Sequence, residues 1–131
     1  MTESARLGWV IVYVPDVGEA LAFYERAFGM TRRFAMDTYG ELDTGSTVLG
    51  FAAESLGDEN FPGGVARPDG GAKPYNVELA LVFDDVATAF AHAVESGCTP
   101  LAEPKEKPQG QTVGWVRDPF GTLIEIASPL H

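Results

Sequence analysis

Residues 116–128 read VRDPFGTLIEIAS. Asp-Pro-Phe-Gly at 118–121 is turn chemistry, with proline presetting one dihedral and glycine free to adopt another. The turn joins two runs of strand-forming residues, QTVGWVRD (111–118) and GTLIEIA (121–127), which read as a hairpin. Glu125 stands between Ile124 and Ile126. Side chains alternate along a strand, so the two isoleucines share one face while Leu123, Glu125 and Ala127 share the other. Glu125 therefore faces either bulk water or a hollow where a carboxylate is useful.

An earlier stretch has the same outline. DTGSTVLGF (43–51) lines up with DPFGTLIEI (118–126), setting Asp43 over Asp118 and Thr47 over Thr122. Further out, WVIVYVPDV (9–17) lines up with ELALVFDDV (78–86), setting Asp16-Val17 over Asp85-Val86. Asp16 and Asp85 are 69 residues apart, Asp43 and Asp118 are 75 apart, and the proline-rich 104–108 takes up the difference. An internal repeat of this size points to one supersecondary unit used twice.

Each copy begins with a strand, GWVIVYV (8–14) or YNVELALVF (75–83). A helix follows. In PDVGEALAFYERAFG, Asp16 is the cap, Glu19 stands three residues on, Ala20, Leu21, Tyr24 and Phe28 form one stripe, and Gly29 is the stop. In DDVATAFAHAVESG (84–97), Asp85 caps and Gly97 stops. Three short strands complete each copy: 31–37, 39–45 and 47–53 in the first, 98–104, 111–118 and 121–127 in the second. The organisation is one domain over 1–131, with module one at about 5–53, a loop at 54–74 rich in glycine and proline, and module two at about 75–128.

Composition narrows the function. Nine Lys plus Arg stand against nineteen Asp plus Glu, a net charge of −10. Nucleic acid needs a basic footprint and is not an expected partner. Anionic membrane surfaces are disfavoured for the same reason, and no run reaches the roughly 18–20 apolar residues of a membrane helix. An acidic cleft would instead concentrate a cation. The opening MTESARLGWVIVYV lacks a basic region followed by a long apolar stretch. No secretory leader is expected, and the expected location is the cytoplasm. Cys98 is the only cysteine, which rules out an intrachain disulfide.

The stretches VPDVGEALAFYERAFG, VFDDVATAFAHAVESG and VRDPFGTLIEI, with the motif Asp-Pro-x-Gly-x-x-x-Glu, resemble the vicinal oxygen chelate superfamily. That superfamily includes glyoxalase I, bleomycin and fosfomycin resistance proteins, and extradiol dioxygenases. The resemblance implies an α+β fold of two βαβββ modules forming a curved mixed sheet around a cleft, and a homodimer. In metal-dependent relatives four positions face the cleft. Mapped here they are Trp9, Gly50, Glu78 and Glu125. Only the two glutamates can ligate, because indole is a donor and glycine has no side chain. A resident cofactor is therefore not expected, although Glu78 and Glu125 could hold a divalent metal loosely.

The expected ligand-binding residues are Trp9, Tyr13, Phe51, Glu78, Gln111 and Trp115, with Glu125 the candidate catalytic carboxylate. Two readings follow. One is a protein that binds a small molecule, cationic or aromatic, in an acidic and aromatic cleft without a tight metal, as bleomycin resistance proteins do. The other is a divalent-metal-dependent lyase or isomerase of glyoxalase type using Glu78 and Glu125. His92, mid-helix, reads as a surface residue, His131 as a chain end, and Cys98 as a small buried hydrophobe.

Overall fold

The computed structural model describes residues 3–71 and 73–130. His131 lies outside the described residues. The chain divides into two compact units, with the boundary between Arg67 and Pro68. Each unit is α+β, with one four-stranded mixed sheet.

The first unit contains β1 (Trp9–Val14), α1 (Val17–Phe28), β2 (Thr31–Ala35), β3 (Tyr39–Asp43), β4 (Val48–Ala53) and α2 (Glu54–Asn60). Its sheet order is β1-β4-β3-β2. β1 runs parallel to β4, and the other pairs are antiparallel. The crossover helix α1 is what allows the parallel pair. Asp16 caps α1, its Oδ1 accepting from the Glu19 amide at 3.0 Å. Gly29 closes it in the left-handed conformation, φ 67°. Val17, Ala20, Leu21, Tyr24 and Phe28 are buried on the face that meets the sheet. Replacing Asp16 with alanine leaves that amide without its cap. The expected cost is about 1 kcal/mol, read from the urea midpoint.

The second unit contains β5 (Glu78–Val82), α3 (Val86–Ser96), β6 (Thr99–Glu106), β7 (Thr112–Arg117) and β8 (Leu123–Ala127). Its order, β5-β8-β7-β6, repeats the first, with β5 parallel to β8. Asp85 caps α3 through the Thr88 amide and hydroxyl, bonds that hold its carboxyl below the usual range. β7 and β8 form the expected hairpin. At its turn Asp118 is buried, and its Oδ1 accepts from the Phe120 and Thr122 amides at 2.9 and 2.8 Å. Asp118 is thus satisfied within the turn. Cys98 is buried, which pushes its thiol up to about 12, and His92 is exposed.

The segment 54–74, expected as a loop, is corrected in part: Glu54–Asn60 is helical. Its glycine is a packing residue and not a breaker. A Cβ on Gly57 would come within 3.0 Å of Val65 and 3.3 Å of Tyr13, so glycine lets the helix lie close to both. Arg67 pairs with Glu54 at 3.1 Å and Asp58 at 2.9 Å, tying the following segment to α2. The strand expected over 75–83 begins only at Glu78. Among the described residues no helix is long and apolar enough to cross a membrane.

Candidate functional site

In each unit one sheet face packs on a helix and the other is open. On β4, Leu49 and Phe51 are buried, and Phe51 meets Tyr24 of α1 with ring centroids 4.8 Å apart. Trp9 and Ile11 of β1 point to the opposite side and are exposed. In the second unit Ile124 and Ile126 are buried, whereas Glu78, Ala80 and Val82 are exposed.

The register places the repeat's equivalent positions identically. Trp9 pairs with Val48 and Ile11 with Gly50, just as Glu78 pairs with Leu123 and Ala80 with Glu125. One strand further, Glu41 stands opposite Gly50 and Trp115 opposite Glu125. Each open face thus carries one tryptophan and one glutamate on its first and third strands in sequence-equivalent rows, and the two units exchange their places.

In the second unit the Trp115 Nε1 donates to Glu78 Oε1 at 3.1 Å. Glu78 lies close enough to Glu125 to accept a hydrogen bond from it whenever Glu125 carries a proton. Burial, the hydrogen bond and the charge of Glu78 together push the Glu125 carboxyl up to about 7. Glu78 already accepts from the Trp115 indole, and the carboxyl that is raised is Glu125. The Lys107 ammonium sits over the Trp115 ring, 5.5 Å from its centroid.

In the first unit the Trp9 Nε1 donates to Glu41 Oε2 at 2.9 Å, and the Tyr39 hydroxyl donates to the same oxygen at 2.7 Å. Glu41 is only 7 % exposed. Burial and Glu41 push the Tyr39 hydroxyl up to about 12, so it stays a donor. Gly50 is bare because Tyr39 fills its place: a Cβ there would lie 2.5 Å from the Tyr39 hydroxyl oxygen.

The expected site residues are divided between the two units. Glu78, Glu125 and Trp115 come together. Trp9 is partnered with Glu41, which the sequence reading missed. Tyr13 shares the Trp9 face but is half-buried against Phe61, at 6.2 Å between centroids. Phe51 is corrected to the helix-side core. As the neighbour of Gly50 on one strand it cannot share Gly50's face. Gln111 is half-buried, its Nε2 donating to the Ser128 carbonyl at 3.0 Å. Alternation alone could have separated Phe51 from Gly50. Glu41 carried a weaker signal, its alignment opposite Trp115 once the repeat is extended one strand further.

Of the four mapped positions only Glu78 and Glu125 offer ligand atoms. Trp9 presents a donor already committed to Glu41, and Gly50 presents nothing beneath Tyr39. Two neighbouring carboxyls remain, and an ion would compete with the proton on Glu125. Among the described residues no three His, Cys, Asp or Glu side chains cluster as a metal set.

The chain is similar in structure to a glyoxalase-related enzyme from Fulvimarina pelagi, with 24 % identity, TM-score 0.78, and 95 % of this chain and 88 % of that one covered. It is also similar to a glyoxalase/bleomycin resistance protein/dioxygenase from Nocardioides, with 16 % identity, TM-score 0.77, and 100 % and 87 % covered. A glyoxalase/bleomycin resistance protein/dioxygenase family enzyme from Burkholderia phytofirmans gives 21 % identity, TM-score 0.73, and 95 % and 98 % covered. At these identities the likenesses show the fold. Among curated proteins none matches significantly. The sequence profile of one family matches residues 6–126, nearly the whole repeat, and the chain belongs to the Glyoxalase/Bleomycin resistance protein/Dioxygenase superfamily.

Proposed function

We propose that this protein binds a small organic cation, aromatic in part, without a resident divalent metal. The observation that supports this reading most directly is the Glu78–Glu125 carboxyl pair beside Trp115. An indole face beside a carboxylate attracts a cation both through the ring quadrupole and by charge. The chain's own Lys107 already lies over that ring. The net charge of −10 adds long-range attraction. A cytoplasmic setting and a homodimer complete the proposed reading.

Calorimetric titration with a cationic glycopeptide of the bleomycin class tests the binding. Micromolar affinity that weakens as salt rises is expected. Silence at high micromolar concentration would count against the reading. Elemental analysis of protein purified without added metal tests the second clause. One tightly held equivalent of Ni, Zn, Mn or Fe per subunit would overturn it.

A second reading, a lyase or isomerase of glyoxalase type, rests on Glu125. A carboxyl at about 7 is matched to accept a proton from carbon at neutral pH. Its measurement is deuterium uptake from solvent into a thiohemiacetal probe. Uptake that Glu125→Gln leaves unchanged would remove this role.

A further inference from the structure

Glu41 uses its two oxygens unequally. Oε2 accepts from both Trp9 and Tyr39. Oε1 faces the Arg33 Nε at 3.7 Å, an ion pair beyond hydrogen-bond reach. Among the described residues no other donor is bonded to Oε1. A carboxylate oxygen has room for about two hydrogen bonds, and Oε1 is not among the fully buried unpartnered atoms, so it keeps surface on which to accept them.

Arg33 reaches this place through a bulge. In the β2–β3 pairing Arg32 stands opposite Leu42 and Phe34 opposite Glu41, so Arg33 is the extra residue between them. Bulges re-aim side chains and recur beside binding sites. The Arg33 side chain is 49 % exposed, so it is weakly held there.

The surroundings are apolar and open. Trp9, Ile11 and Phe34 are all exposed on this face, and the Phe34 ring lies 6.0 Å from that of Tyr39. The Tyr39 ring over Gly50 gives the carboxylate a fixed floor. A buried charge with open acceptor capacity, held by two neutral donors and rimmed by aromatic rings, is preorganised for a planar cation bearing N–H groups.

We propose that Glu41 Oε1, with Trp9 and Phe34 as walls, is a binding site for an aryl amidinium or guanidinium group, and that Arg33 is the tethered cation such a ligand displaces. This site belongs to the first unit and does not depend on the Glu78–Glu125 pair.

The probe is benzamidine, followed by the indole N–H resonance of Trp9 in the intact protein and by Trp9 emission in Trp115→Phe. A saturable shift is expected. Arg33→Ala removes the competitor at an exposed position and should tighten binding about threefold to tenfold. Glu41→Gln should weaken it at least about tenfold. Benzyltrimethylammonium keeps the aryl cation but has no N–H group, and it should bind at least about tenfold more weakly than benzamidine. The proposal fails if Trp9 does not respond to about 10 mM benzamidine in either the wild type or Arg33→Ala, an affinity limit near 3 kcal/mol. It fails equally if Arg33→Ala leaves the dissociation constant unchanged, or if the two cations bind alike. The reciprocal variant Trp9→Phe reports on Trp115 alone, so a silent second unit is read separately from a silent first.

Discussion

Phe51→Ala is expected to cost about 3–5 kcal/mol, a large part of the stability of a domain this size. Phe51 has no exposed surface, sits on the central strand β4, and meets Tyr24 edge to face. Truncation opens a cavity between α1 and the sheet that neither neighbour can close. Urea unfolding monitored by circular dichroism measures the loss. Phe51→Leu keeps most of the volume and should cost no more than about 1.5 kcal/mol. Cation affinity in that folded variant should match the wild type, because the residue faces away from Trp9 and Glu41. A leucine variant that stays stable but loses binding would return Phe51 to the ligand-facing role expected from sequence.

Glu125→Gln should stabilise the protein at pH 8 and leave it nearly unchanged at pH 4.5. The folded carboxyl titrates at about 7, against 4.5 for an unperturbed glutamate. Glu125 thus binds its proton more tightly in the folded state. The associated stability is complete below pH 4.5 and is lost as the pH rises through about 7. Above that, two carboxylates repel each other beside Trp115. Glutamine keeps the shape and donates an N–H to Glu78 at every pH. Allowing for solvent screening of this partly exposed pair, the gain at pH 8 is about 1–2 kcal/mol. Thermal unfolding of both proteins from pH 4.5 to 8 measures it, and parallel curves would contradict the raised Glu125 carboxyl. Cation affinity should move the other way. The wild type gains a negative charge between pH 6 and 8 and should bind a cation roughly fivefold to tenfold more tightly at the upper end. The glutamine variant should stay flat.

Much of the architecture is legible from local rules. Asp16 and Asp85 announce helix starts because short carboxylates satisfy unpaired amides. Gly29 announces a stop because it tolerates positive φ. Asp118 and Gly121 mark the last hairpin, and the repeat of these signals yields the two βαβββ units. The helix at 54–60 escaped because glycine usually signals a break. Gly57 is there for close approach to Tyr13 and Val65, a need set by residues distant in sequence.

The sequence by itself determined the order of elements within the two βαβββ repeats and the equivalence of Trp9 with Glu78 and of Gly50 with Glu125. Those follow from spacing and residue chemistry, which act over a few positions. Only the tertiary structure decided that Trp9 hydrogen-bonds Glu41, that Tyr39 stands over Gly50, that Phe51 faces α1, and that Glu78 lies beside Glu125 and raises its proton affinity. Each of these depends on which strands lie side by side and in what register. A side chain's partners and its proton affinity are set by the neighbours that register brings within a few ångströms.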